Sequence, residues 1–162
     1  MREILFRGKT EKGEWVKGVP FFEEDRCYII EDLFICDEYD CTGAVNTMVI
    51  PESVSEFTGL TDKNGTKIFE GDIVQYTDEE GYYPEENCDF IGKISLEHGA
   101  FGIVTTDNIP IDLNNWCDND NFVSLWELYW NLSVEGEMLD MVEVIGNIHD
   151  NPELLKKVDG NG

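Results

Sequence analysis

Basic residues, histidine and long apolar runs are what this chain has least of, and each scarcity excludes something. Eleven lysines and arginines stand against thirty-five aspartates and glutamates, a formal net charge of −24 over 162 residues. Such a chain repels nucleic acid, whose binding rests on cations that neutralise phosphates, and it repels anionic lipid. Direct nucleic-acid binding and membrane association are therefore not expected. The apolar runs fall far short of a bilayer span, and the start does not read as a secretory leader. Five cysteines (27, 36, 41, 88 and 117) are an odd number with no Cys-x-x-Cys pair. Free thiols in a reducing cytoplasm are the expectation.

Missing motifs narrow the chemistry further. Neither Gly-x-Gly-x-x-Gly nor a Walker A run occurs, so no nucleotide or other cofactor is expected. There are two histidines. His98 precedes Gly99 in a turn without the serine or cysteine pattern of a hydrolase, and His149 reads as a packing or turn residue. The nearest calcium-loop frame starts at Glu38, with Asp40, Thr42 and Gly43 in register, but Val49 stands where the bidentate glutamate belongs. Asp118 to Asn121 lacks the glycine and the distal glutamate, and Cys36 and Cys41 have no second pair at zinc spacing. Neither a metal site nor a catalytic residue is expected.

Short apolar runs punctuated by glycine are abundant, and they read as strands. Ile4–Phe6, Trp15–Val19, Arg26–Ile30, Asp32–Ile35 and Asn46–Ile50 give an N-terminal meander over 1–51, with Pro20 opening a loop. Pro51 to Gly59 reads as a one-turn connector. Lys67–Phe69, Asp72–Tyr76, Ile91–Leu96, Gly99–Val104 and Val142–Ile148 then give a barrel-like unit over 52–155, with residues 156–162 as a flexible tail. The expectation is an all-β fold with one or two short helices. It joins the meander to an SH3-like pseudo-barrel of bent sheet, within one domain. Phe6, Trp15, Leu60, Ile68, Phe69, Ile73, Val74, Ile94, Phe101, Val144 and Ile145 are the core candidates.

Asn121 to Leu132 places Phe122, Leu125, Leu128, Tyr129 and Leu132 at spacings of three and four, a helix with Asn121 as its cap. Trp126 and Trp130 lie outside that stripe. The segment is then buried deeply, packed on a second subunit, or partly strand. Asn151-Pro152-Glu153 starts a second helix, with proline in the first turn.

Charge is unevenly spread. Six of the eleven bases lie in the first 26 residues, whereas Ile68 to Leu155 holds twenty acids and one base, Lys93. Solubility is the bland account of such acidity. An acidic face for a basic protein partner, in one form imitating DNA, is the sharper one.

The run Thr58-Gly-Leu-Thr-Asp-Lys-Asn-Gly-Thr-Lys-Ile-Phe-Glu-Gly-Asp-Ile-Val74 resembles the signature of the YopX-like family of bacteriophage and prophage proteins. Arg2 to Gly8, Gly13 to Gly18 and Glu143 to Leu155 resemble the family's other segments, in the expected order. Its structural positions here are Gly59, Asp62, Gly65, Glu70, Gly71, Asp72, Gly146 and Pro152. Asn64-Gly65 marks a tight turn, Gly71 a bend, and Asp72 a turn or capping bond to backbone amides. The resemblance implies a small β-rich phage protein and carries no activity with it.

Two functions follow. The first is a phage or prophage accessory protein that acts by protein contact, as a homo-oligomer or with a basic partner, through Trp116, Trp126, Tyr129 and Trp130. Aromatic residues of this kind are enriched at interfaces. The competing reading is a small acid-dependent or cation-assisted hydrolase.

Overall fold

The computed structural model describes residues 3–36, 41–78, 89–97, 99–105, 121–132 and 138–159. It is an all-β chain of short antiparallel strands, divided into two compact units, Met1–Phe57 and Thr58–Gly162. The division falls between Phe57 and Thr58, beyond Pro51. It lies inside a strand, within the segment Pro51 to Gly59 that is expected to be a connector.

In the N-terminal unit, β1 (Phe6–Lys9) is flanked by β2 (Trp15–Glu23) and by the first residues of β5 (Ser55–Asp62). Beyond β2 come β3 (Arg26–Cys36) and β4 (Cys41–Val49). Cys27, Ile29 and Val49 form a small core, against which Phe6, Val16 and Val54 pack. Gly8 lets strand and core approach, since a Cβ there would stand 2.8 Å from Val49 Cγ2. Arg7 lies over the Trp15 ring at 4.6 Å and donates to Ser55 Oγ at 3.1 Å.

Four readings of this half are corrected. The expected strands Arg26–Ile30 and Asp32–Ile35 are one strand, carried through by a bulge between Ile30 and Asp32. The first strand begins at Phe6, and Leu5 instead accepts the Phe57 amide. Pro20 does not open a loop: it sits inside β2 opposite Ile29. Among the described residues β1 pairs with β2 only as far as Gly18, so one side of β2 is open at the proline, where a missing donor is tolerated. Pro51 to Gly59 is a single 3-10 turn, Pro51–Ser53, followed by β5. The buried Ser53 hydroxyl holds that turn, donating to Ile50 O at 2.6 Å and accepting the Lys9 amide at 2.7 Å.

The C-terminal unit is built on a five-stranded sheet in the order β10 (Phe122–Ser124), β9 (Ala100–Val104), β8 (Phe90–Glu97), β7 (Asp72–Tyr76), β12 (Val142–Asn147). The second half of β5 pairs with β6 (Lys67–Phe69) and, in parallel, with β11 (Met138–Leu139). The sheets are open, with strands at their edges; among the described residues no barrel closes. The core gathers Ile68, Val74, Tyr76, Phe90, Ile94, Ile103, Val123, Leu125, Leu128, Leu139, Met141 and Val142. Tyr76 stacks on Phe90 at 4.8 Å and reaches Met141 Sδ with its hydroxyl at 3.2 Å.

The expected core is largely in place. Ile68, Phe69, Ile73, Val74 and Ile94 are buried, and Leu60, Phe101 and Val144 pack against the larger cluster. The helix expected from Asn121 is a correction. Phe122, Val123 and Ser124 are strand, paired with Val104, Ile103 and Gly102, and the α-helix α1 begins at Leu125 and ends at Leu132. Gly102 is the physical reason: a Cβ there would lie 2.3 Å from the Phe122 ring, so glycine opens the place that ring takes against β9. The closing helix is a 3-10 helix, Pro152–Asp159, which continues into the stretch read as tail.

Candidate protein-contact site

Helix α1 is short, and sequence decides its faces. Leu125 and Leu128, three apart, point into the core at 1% and 2% exposure. Tyr129 is half-buried against the same cluster. Trp126 and Trp130, four apart, occupy the other side at 62% and 72% exposure. The i, i+4 spacing brings their rings together, centroids 5.8 Å apart and tilted by 22°, and Tyr129 adds a third ring 6.0 Å from Trp126. Two indoles left in water side by side are costly for a monomer and useful for a contact. Glu127 lies between them in sequence, and burial pushes its carboxyl above the ordinary glutamate range. Trp116, the remaining candidate, lies outside the described residues.

The motif positions have other tasks. Asp62 is buried at 1% exposure and accepts three backbone amides. Oδ1 takes those of Asn64 and Thr66 at 2.9 and 2.8 Å, and Oδ2 takes that of Val144 at 2.9 Å. The turn is completed by Gly65, at φ +79°, which donates to Asp62 O. Lys63 beside it donates its amide to Val142 O, and its ammonium meets Glu143 at 2.9 Å. Asp72 is equally buried, and its Oδ2 accepts the Phe69 amide at 2.8 Å across the bend made by Glu70 and Gly71. Gly71, at φ +78°, donates to Ile94 O and accepts from the Ile148 amide. Gly59 also has positive φ, +92°. Gly146 follows the bulge in β12, where a side chain would collide with Asn151, and Pro152 opens the last 3-10 helix.

These positions therefore build turns. His149 lies exposed in the turn after β12, its amide donating to Asn147 Oδ1 at 3.0 Å. His98, Asp40 and Asp118 to Asp120 lie outside the described residues, as do the side chains of Cys36 and Cys41. Cys27 is buried, and burial pushes its thiol up, away from the reactive thiolate. Among the described residues no group of three or more His, Cys, Asp or Glu is placed to hold a metal ion, and no helix is long and apolar enough to cross a membrane.

One surface escaped the sequence. Val19, Phe21, Tyr28, Ile30 and Met48 share the outer face of β2, β3 and β4, and Phe21, Glu23, Tyr28, Ile30 and Asn46 line a groove of about 460 Å³ there. Both faces of these strands are apolar in sequence, as in Phe21-Phe22 and Tyr28-Ile29-Ile30, so alternation cannot tell the covered face from the open one.

The family model described as YopX protein matches residues 5–156. The chain belongs to the YopX family. Among solved structures it is similar to protein EF1440 from Enterococcus faecalis, at 25% identity and a TM-score of 0.54, over 96% of this chain and 99% of that one. Among curated proteins none matches.

Proposed function

We propose that this YopX family member is an accessory protein of phage or prophage origin that acts in the bacterial cytoplasm by gripping another protein, not by catalysis. The observation that carries the reading is the stacked pair of Trp126 and Trp130, exposed on α1. The partner is a basic protein. Around α1 the sequence is overwhelmingly acidic, with twenty acids and one base between Ile68 and Leu155. Two chains of net charge −24 repel each other, whereas an arginine or lysine is drawn both by that field and by the indole faces.

The hydrolase reading has less to stand on. Asp62 and Asp72, the buried carboxylates among the described residues, direct oxygens at backbone amides, Asp62 at those of Asn64 and Val144 and Asp72 at that of Phe69. The test is to capture phage and host proteins on the purified chain and on a Trp126→Ala/Trp130→Ala variant. Alanine preserves the helix. Capture that needs both tryptophans and weakens with salt supports the reading; capture unchanged by the variant overturns it.

A further inference from the structure

Sheet edges expose unpaired amides and carbonyls, and proteins blunt them by brevity, charge, proline, bulges or cover. Most sheet edges among the described residues are blunted in one of these ways. β6 and β10 are three residues long, and β11 two. β12 carries a bulge between Val144 and Gly146 and is engaged at Val142 and Val144 by the turn at Asp62. The part of β2 that runs past β1 holds Pro20 and ends on Glu23.

β4 is the exception. Among the described residues it pairs with β3 alone, it is nine residues long, and Cys-Thr-Gly-Ala-Val-Asn-Thr-Met-Val carries neither charge nor proline. The chain as a whole is 28% charged. Val45 and Met48 on this strand stand at 49% and 50% exposure, and Ala44 and Asn46 are exposed as well. A neutral, unguarded edge of this length is a template for another strand.

We propose that this edge is a self-association seam, in which β4 of a second copy of the chain pairs with it antiparallel about a two-fold axis near Val45, the middle residue of the strand. One sheet then runs through the N-terminal units of both copies. Two arguments select a second copy as the occupant. Antiparallel pairing about a two-fold axis is self-complementary, so one strand supplies both halves of the ladder. The strand is also neutral in a chain of net charge −24, so two copies meet here without placing like charges opposite each other. The apolar outer face that holds Phe21, Tyr28, Ile30 and Met48 continues across the axis as one surface, with Met48 on the seam strand itself. A stable dimer buries about 800 Å² per partner, more than a strand pair alone supplies, so the association is weak and concentration-dependent. The seam is independent of α1 and of the partner assigned to it.

The test is the mass of the full chain by light scattering over a hundredfold range of concentration. The unmodified chain moves from monomer to dimer, and Trp126→Ala/Trp130→Ala leaves that transition in place. Val45→Lys places two ammonium groups together at the axis and weakens the dimer at least tenfold, with an unchanged circular dichroism spectrum. Mixing Val45→Lys with Val45→Asp restores the dimer as a heterodimer. Hydrogen exchange on the unmodified chain repeats the test without a variant: protection of amides in residues 43–49 rises with concentration. A monomer throughout, with exchange in 43–49 independent of concentration, overturns the proposal. So does a dimer that Val45→Lys leaves intact and the tryptophan variant abolishes.

Discussion

Asp62 and Val144, eighty-two residues apart in sequence, are joined by one hydrogen bond: the Val144 amide donates to Asp62 Oδ2 at 2.9 Å. The same carboxylate closes its own turn through Oδ1, so the family-like run and the closing strand are held by one side chain. The Lys63 amide bond to Val142 O runs beside it. The most recognisable stretch of the sequence is thus a structural knot.

Asp62→Ala leaves three amides without their acceptor. Asn64 and Thr66 are exposed, so their amides can turn to water, whereas the half-buried Val144 amide loses its acceptor; the loss is about 1–2 kcal/mol, read as a lower urea midpoint with an unchanged slope. Asp62→Asn keeps one carbonyl oxygen and loses less. An unchanged midpoint in the alanine variant contradicts this role for the carboxylate.

Gly71→Ala and Gly65→Ala both force a side chain into positive φ, at a cost of about 1 kcal/mol or more. The Gly65 position is open, whereas at Gly71 the new methyl meets the Ile148 side chain at 3.4 Å, between two backbone hydrogen bonds. Thermal unfolding should show the larger fall for Gly71→Ala. Neither change alters capture by the α1 face once the variant is folded.

Glu127 gives a pH signature. Its folded-state pKa is raised by burial, so its ionisation on folding is unfavourable. That contribution is absent while the carboxyl is protonated and grows as the pH rises through the raised pKa. Glu127→Gln should therefore raise the melting temperature slightly at pH 7, and the gain should vanish below the ordinary glutamate range. A gain that persists at low pH points to packing and not to charge.

Much of the fold was legible because local chemistry and tertiary structure agree. Asn64-Gly65 turns where a tight turn is needed, and the apolar runs from Asp72 to Val104 are strands paired in sequence order. Two elements were misread where they disagree. Ser55-Glu-Phe-Thr-Gly59 carries the residues of a connector, yet its register with β1 makes it a strand. Phe122 sits at helical spacing from Leu125, yet Gly102 lets it lie on a neighbouring strand. Of the contact site, the sequence placed Trp126 and Trp130 off the apolar stripe but left burial, a second subunit and strand as their explanations. Only the turn from β10 into α1 puts Leu125 inward and both indoles outward. The β4 edge was invisible, because strand order is not written in a strand's own residues.

The central claim is that Trp126 and Trp130 together grip a basic protein. Its most direct measurement is parallel capture on the unmodified chain and on Trp126→Ala/Trp130→Ala, at low and at high salt, with the captured proteins identified by mass. The account predicts a basic partner held by the unmodified chain at low salt, released at high salt, and absent from the variant. The same partner held equally by both chains, or only self-association through the tryptophans, contradicts it.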